Sequence, residues 1–142
     1  LTGSVNILKA AGVWPALEDY ATALQTMRIV DDSQPGLPQV KVEFRADDIG
    51  RTEFGFNIPN AILKSALAAR VGNIKTVTHM APAKLKDYRI EKQKVIATTE
   101  DGAVIIASLV VGTDGRNSIV RAIAGIDAKK HDYEQVAMTC LI

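Results

Sequence analysis

The sequence is poor in the residues that build stapled or metal-held folds. A single cysteine, Cys140, excludes an internal disulfide, and two histidines far from it leave no ligand set for a structural zinc. An excess of one charge is also missing. Seventeen Lys and Arg stand against sixteen Asp and Glu, a net charge of +1 with no acidic tail or basic arm. That balance argues against a nucleic-acid-binding surface. Long hydrophobic runs are absent too. The longest, Val104–Val111, is broken by Ser108 and is far too short to span a bilayer. The opening residues do not read as a signal peptide, and no internal repeat or low-complexity tract occurs.

What is present is the balance of a soluble globular protein: 142 residues, 47% apolar and 23% charged. A chain of this length can bury on the order of 70% of its unfolded surface. The two ends read differently from the middle. The chain opens at Leu1 without methionine and closes on an apolar stretch, Val136 to Ile142, that reads as a strand. Termini are usually polar and frayed, so an internal piece of a longer protein is expected. The other reading is a processed domain whose last strand completes its sheet.

Periodicity predicts a helix over Ser4–Ala11, with Val5, Leu8 and Ala11 on one face, Ser4 as N-cap and Gly12 as its stop. Pro15 suits the first turn of a short second helix through Leu17 and Tyr20. Thr26–Val30 and the alternating Val40–Arg45 read as strands, the latter half-exposed, joined by a Pro- and Gly-punctuated loop over 31–38. Asp47-Asp-Ile-Gly50 is a turn with no metal-binding pattern. The clearest helix is Asn60–Arg70, with Ile62, Leu63, Ala66, Leu67 and Ala69 on its apolar face and Asn57 or Asn60 as its cap. Strands are expected at Ile74–Met80, Leu85–Tyr88, Val95–Thr99 and Val104–Val111, the last two forming a hairpin through Asp101-Gly102. Leu109–Val111 is wholly apolar, as expected of a strand covered on both faces. A short helix over Asn117–Ala124, closed by Gly125, follows. Trp14 reads as a packing anchor and Cys140 as a small buried hydrophobe. His79 and His131 read as surface or structural residues, and no Ser-His-Asp order suggests a triad. Hairpins mixed with strand-to-helix crossovers point to a mixed α/β (α+β) fold.

The segment that carries chemistry is LVVGTDGRNSIVR, residues 109–121. An apolar strand runs into Gly112, a tight Asp114-Gly115 turn, and a helix beginning near Asn117 or Ser118. Gly115 permits a positive φ or a close ligand approach. Free amides at the start of the new helix suit a phosphate, and strand ends are where α/β sheets place ligands. Arg121, one turn in, is placed to meet a second anion. The same residues would also make an ordinary strand–turn–helix link with a surface arginine.

The full string resembles the Asp-Gly fingerprint of flavoprotein aromatic hydroxylases, with Thr113 where that family usually has Ala. Three further segments are similar to the family in order and spacing: SVNILKAAGVWPAL (4–17), FGFNIPNAILKSAL (54–67) and DYEQVA (132–137). The Asn-Ile-Pro-Asn and Tyr-Glu-Gln-Val-Ala pieces lean toward the ubiquinone-biosynthesis branch. The resemblance implies an FAD enzyme that takes a hydride from NAD(P)H and hydroxylates an aromatic ring with O2, the flavin carrying the redox chemistry. It places Asp114 and Gly115 near the cleft for FAD and the nicotinamide cofactor and Arg121 against the latter's phosphates. Asn60 falls near the flavin side, and the backbone at Lys84 passes the adenine.

The resemblance divides the chain into FAD-domain helices (1–25), substrate-domain strands (26–53), an FAD-domain helix, strands and fingerprint (54–131), and the start of the next substrate-domain strand (132–142). It implies the internal portion of a split FAD/NAD(P)-binding domain with part of an antiparallel substrate-domain sheet. A polyprenylated phenol substrate would bring a cytoplasmic enzyme to the surface of the inner membrane without a spanning helix. No G-x-G-x-x-G occurs, so the pyrophosphate-binding βαβ unit and its ribose-holding acid are missing. The isolated chain is therefore expected to be inactive, to bind FAD weakly or not at all, and to self-associate through bare sheet edges and faces. Rival readings are another FAD-fold oxidoreductase (reductase, epoxidase or halogenase) and a non-enzymatic interaction fragment.

Overall fold

The computed structural model describes residues 2–31 and 38–140, and divides into two compact units, Leu1–His79 and Met80–Ile142. In the first, α1 (Thr2–Ala10) buries Val5. Ser4 lies inside the helix and so is not the expected cap. At the other end Gly12 turns left-handed at φ +70, and the amides of Gly12 and Val13 close back on the carbonyls of Lys9 and Leu8. This is a Schellman stop, which glycine permits without a Cβ penalty. The helix expected from Pro15 is instead two 3₁₀ turns, Trp14–Ala16 and Glu18–Tyr20. Residues three apart eclipse in 3₁₀ geometry, and Trp14 and Leu17 are both buried, Leu17 completely. The Trp14 ring meets Phe56 edge-on at 5.2 Å, as an anchoring role requires.

Two short ribbons follow. β1 (Thr22–Leu24) pairs antiparallel with β4 (Gly55–Asn57), and β2 (Thr26–Asp31) with β3 (Val40–Arg45). Most of the loop expected over 31–38 lies outside the described residues. β3 was expected to be half-exposed. All twelve residues of β2 and β3 are exposed, because no described residue of the unit covers the face shared by Met27, Ile29, Val42 and Phe44. The other face carries the Arg28–Glu43 ion pair at 2.8 Å. The expected turn is a 3₁₀ turn, Asp47–Ile49, closed by Gly50 at φ +68.

α2 (Asn60–Gly72) follows β4. Pro59 occupies its N-cap with no side-chain hydrogen bond, so neither Asn60 nor Asn57, which pairs in β4, caps it. Ile62, Leu63 and Ala66 are half-buried, while Leu67 and Ala69 are exposed. Near its end Arg70 donates from Nε to the Ala11 carbonyl at 2.8 Å. Ile74–Met80 is not a strand: the Val77 amide turns back to Ile74, and no neighbouring strand pairs with the segment.

The second unit is a three-stranded antiparallel sheet in the order β5 (Leu85–Glu91), β6 (Lys94–Thr99), β7 (Val104–Ala107), with α3 (Ile119–Ile123) against β5. β5 carries a bulge between Leu85 and Asp87. Its turn into β6 uses Lys92 and Gln93 at φ 48 and 65. The β6–β7 turn places Gly102 at φ +90, and the Thr99 hydroxyl and Ala103 amide hold the Asp101 carboxyl below its ordinary value. The expected strand Val104–Val111 stops at Ala107. Leu109 and Val111 are 73% and 69% exposed, so the expected two-sided cover is absent. No strand forms over 136–140, and Cys140 is exposed rather than buried. The whole is a mixture of helices and antiparallel strands, which agrees with the mixed fold class at that level.

Candidate functional site

Gly112 to Arg121 turns the chain from the end of the sheet into α3, and its conformation is set by side chains of the segment itself. Gly112 sits where the chain passes α3. A Cβ there would lie 2.8 Å from the Val120 Cβ, so only glycine fits without a shift. Gly115 adopts φ +83, the left-handed geometry expected of it, with open space where a side chain would stand.

The amides at the start of α3 are not free. Asp114 Oδ2 accepts from the Ile119 amide at 2.7 Å and from the Val120 amide at 3.3 Å. Ser118, the N-cap, accepts from the Arg121 amide at 3.0 Å. Three donors expected to receive a phosphate are thus satisfied from within. A carboxylate already stands where the anion would sit, and a five-residue helix adds little dipole. The Ser118 hydroxyl, followed by the Val120 and Ile119 amides, holds the Asp114 carboxyl below its ordinary value.

Tyr88, on β5, donates its hydroxyl to the Val120 carbonyl at 3.3 Å and ties α3 to the sheet. Arg121 is half-buried, and its Nη2 donates to the Arg116 carbonyl at 2.8 Å, folding the guanidinium back over the turn. Between the sheet and this segment lies an open cleft of about 460 Å³. Leu85, Val111, Ile119 and Val120 give it apolar walls, and Lys84, Thr113, Asp114 and Asn117 supply polar groups. The Lys84 ammonium is paired with Glu100 at 2.6 Å, and its carbonyl receives the Glu100 amide.

Of the residues singled out from sequence, Lys84 and Asp114 line this one cleft, and Gly115 and Arg121 belong to the segment that bounds it. Asn60 stands at the start of α2 in the Leu1–His79 unit, exposed, and is described with that unit. Sequence reasoning passed over Tyr88, Thr113 and Asn117 as contributors. A tyrosine within a strand and polar residues flanking an Asp-Gly turn gave no spacing signal for them.

No family model matches the chain. It is 31% identical over 138 residues to the ubiquinone hydroxylase UbiL of Rhodospirillum rubrum, covering 96% of this chain and 31% of that protein. It is 28% identical over 142 residues to the mitochondrial ubiquinone biosynthesis monooxygenase COQ6 of Caenorhabditis elegans, covering 98% of this chain and 30% of that one. The structure of the Diels-Alderase PyrE3 from pyrroindomycin biosynthesis shares its fold, with a TM-score of 0.67 at 22% identity over 86% of this chain and 24% of that chain. The chain spans about a third of the length of the curated relatives it matches. Along nearly all of its residues, the chain is similar in sequence to about one third of the length of hydroxylases of ubiquinone biosynthesis.

Proposed function

We propose that the chain is part of an FAD-dependent monooxygenase that hydroxylates an aromatic ring, a polyprenylated phenol in ubiquinone biosynthesis, using NAD(P)H and O2. The observation that carries this reading is the match over 96% of the chain to a ubiquinone hydroxylase. The open backbone at Gly115 beside the cleft supports it. In this reading residues 1–25 and 54–131 belong to a split FAD domain, and 26–53 and 132–142 to a substrate-domain sheet.

The residues present fit the sugar and ring portions of a dinucleotide better than its pyrophosphate. Thr113 and Asn117 offer hydrogen bonds against apolar walls, whereas the α3 amides are already engaged. Asp114, Gly115 and the backbone at Lys84 border the cofactor, Arg121 meets the phosphates of NAD(P)H, and Asn60 lies toward the flavin. When bound, the flavin supplies the redox chemistry. The chain's own part is to hold the turn, present an unobstructed backbone at Gly115 and offer the apolar walls of the cleft to the ring portion of the cofactor. No helix among the described residues is long and apolar enough to cross a membrane. The whole enzyme would meet a polyprenylated substrate at the membrane surface from the cytoplasmic side.

The test is a chimera in which these residues replace the matching third of the Rhodospirillum rubrum relative. It should retain flavin absorbance through desalting and hydroxylate the relative's substrate, while the isolated 142-residue chain desalts colourless. A folded chimera that holds no flavin would sink the reading.

A further inference from the structure

We infer that Asp114 is a positioning residue: its carboxylate occupies the first amides of α3 and sets the Gly112–Arg121 turn before any ligand arrives. The inference rests on the reading of this turn as the cofactor-facing segment, and it reassigns what the aspartate does there. A helix start is an anion site because its amides lack partners. Here two of them point at Asp114 Oδ2, at 2.7 and 3.3 Å, and the next is taken by the Ser118 hydroxyl.

Two further contacts fix the same geometry from other directions. Gly112 lets the chain pass within contact of Val120, and the Tyr88 hydroxyl holds the Val120 carbonyl to β5. Val120 is therefore held through its amide, its side chain and its carbonyl, and Asp114 supplies the first of the three. Such a carboxylate presents the cleft in a preformed shape and bars a phosphate from the start of α3. A ligand must then be met by the Gly115 backbone and by Thr113 and Asn117. Lys84 lines the same cleft with its ammonium paired to Glu100, and Arg116 and Arg121 are the charged residues of the same segment, the Arg121 guanidinium donating to the Arg116 carbonyl.

The amide proton resonances of Ile119 and Val120, followed by NMR in the dilute 142-residue chain, test this without flavin. The folded Asp114 carboxyl is held below its ordinary value, so the hydrogen bonds are intact at neutral pH and lost only as pH falls through that depressed pKa. Both resonances should move upfield together on that titration. Asp114→Ala should abolish the downfield shift at every pH. Asp114→Asn, which still offers an acceptor oxygen, should keep the shift and lose its pH dependence. Inorganic phosphate should leave both resonances unmoved in the wild-type chain. Amides indifferent to pH through the carboxylate range, unchanged in Asp114→Ala, or shifted by phosphate would overturn the inference. Because no readout here involves flavin, failure of the cap and failure of the flavoenzyme reading are separate results.

Discussion

Gly112 shows how much one hydrogen atom in place of a side chain can decide. The residue is not among the left-handed glycines, so conformational freedom does not explain it. The reason is Val120, whose Cβ and Cγ1 stand 2.8 and 2.9 Å from where a Cβ would be. Gly112→Ala should therefore overpack the contact between the turn and α3 and cost about 1–3 kcal/mol, read from the denaturant midpoint. Val120→Gly in that background, which removes both clashing carbons, should recover part of the loss, although Val120→Gly alone removes a half-buried side chain and destabilises. Non-additivity of that sign is the signature of a shared contact. Additive costs would mean that the segment relaxes freely and that the close approach does not matter.

At the scale of elements, the turn between β5 and β6 is the clearest place where local chemistry and fold disagree. A two-residue hairpin loop with both φ angles positive favours Asn and Gly, and this chain uses Lys92 and Gln93. The left-handed region costs a side-chain-bearing residue roughly 1–2 kcal/mol, of which glycine returns part as lost backbone entropy. Gln93→Gly should stabilise the chain by about 0.5–1 kcal/mol, seen as a higher denaturant midpoint at unchanged slope. That same turn hid the β5–β6 hairpin from the sequence, since neither residue punctuates. The β6–β7 hairpin was legible because Asp101-Gly102 does. β2, β3 and α2 were legible because their periodicity runs for six residues or more, whereas β1 and β4, at three residues each, carry no period at all. In the candidate site the Asp-Gly turn, the left-handed Gly115 and a helix start near Ser118 were readable. The closure of the α3 amides by Asp114 was not, because a carboxylate five residues before an amide reaches it only through a particular turn. Two expected strands, Ile74–Met80 and the one from Val136, and the Leu109–Val111 end of the expected Val104–Val111 strand failed for one reason. Alternation and β-branching record a readiness to pair, but a strand also needs a neighbour, and among the described residues these segments have none.

For the molecule as a whole, those unpaired segments and the β2–β3 ribbon leave apolar surface facing water. Leu109, Val111, Val136 and Met138 are 69–95% exposed, and one face of the ribbon carries Met27 opposite Phe44 and Ile29 opposite Val42. The ribbon is the more consequential of these surfaces because it is already ordered as a sheet. Two strands alone are marginal in water, and a second apolar layer is what normally stabilises them. The opposite face, with Arg28 paired to Glu43, needs no such cover. We therefore predict that the purified chain self-associates, with an average mass by light scattering that rises with concentration. Ile29→Lys combined with Val42→Glu puts opposite charges at one cross-strand pair, which preserves the ladder while making the apolar face polar. That double variant should return the mass toward the monomer without loss of secondary structure by circular dichroism. A wild-type chain that stays monomeric at the same concentrations would show that the ribbon tolerates water. An associating chain indifferent to the double variant would move the contact to the segments around Leu109 and Val136.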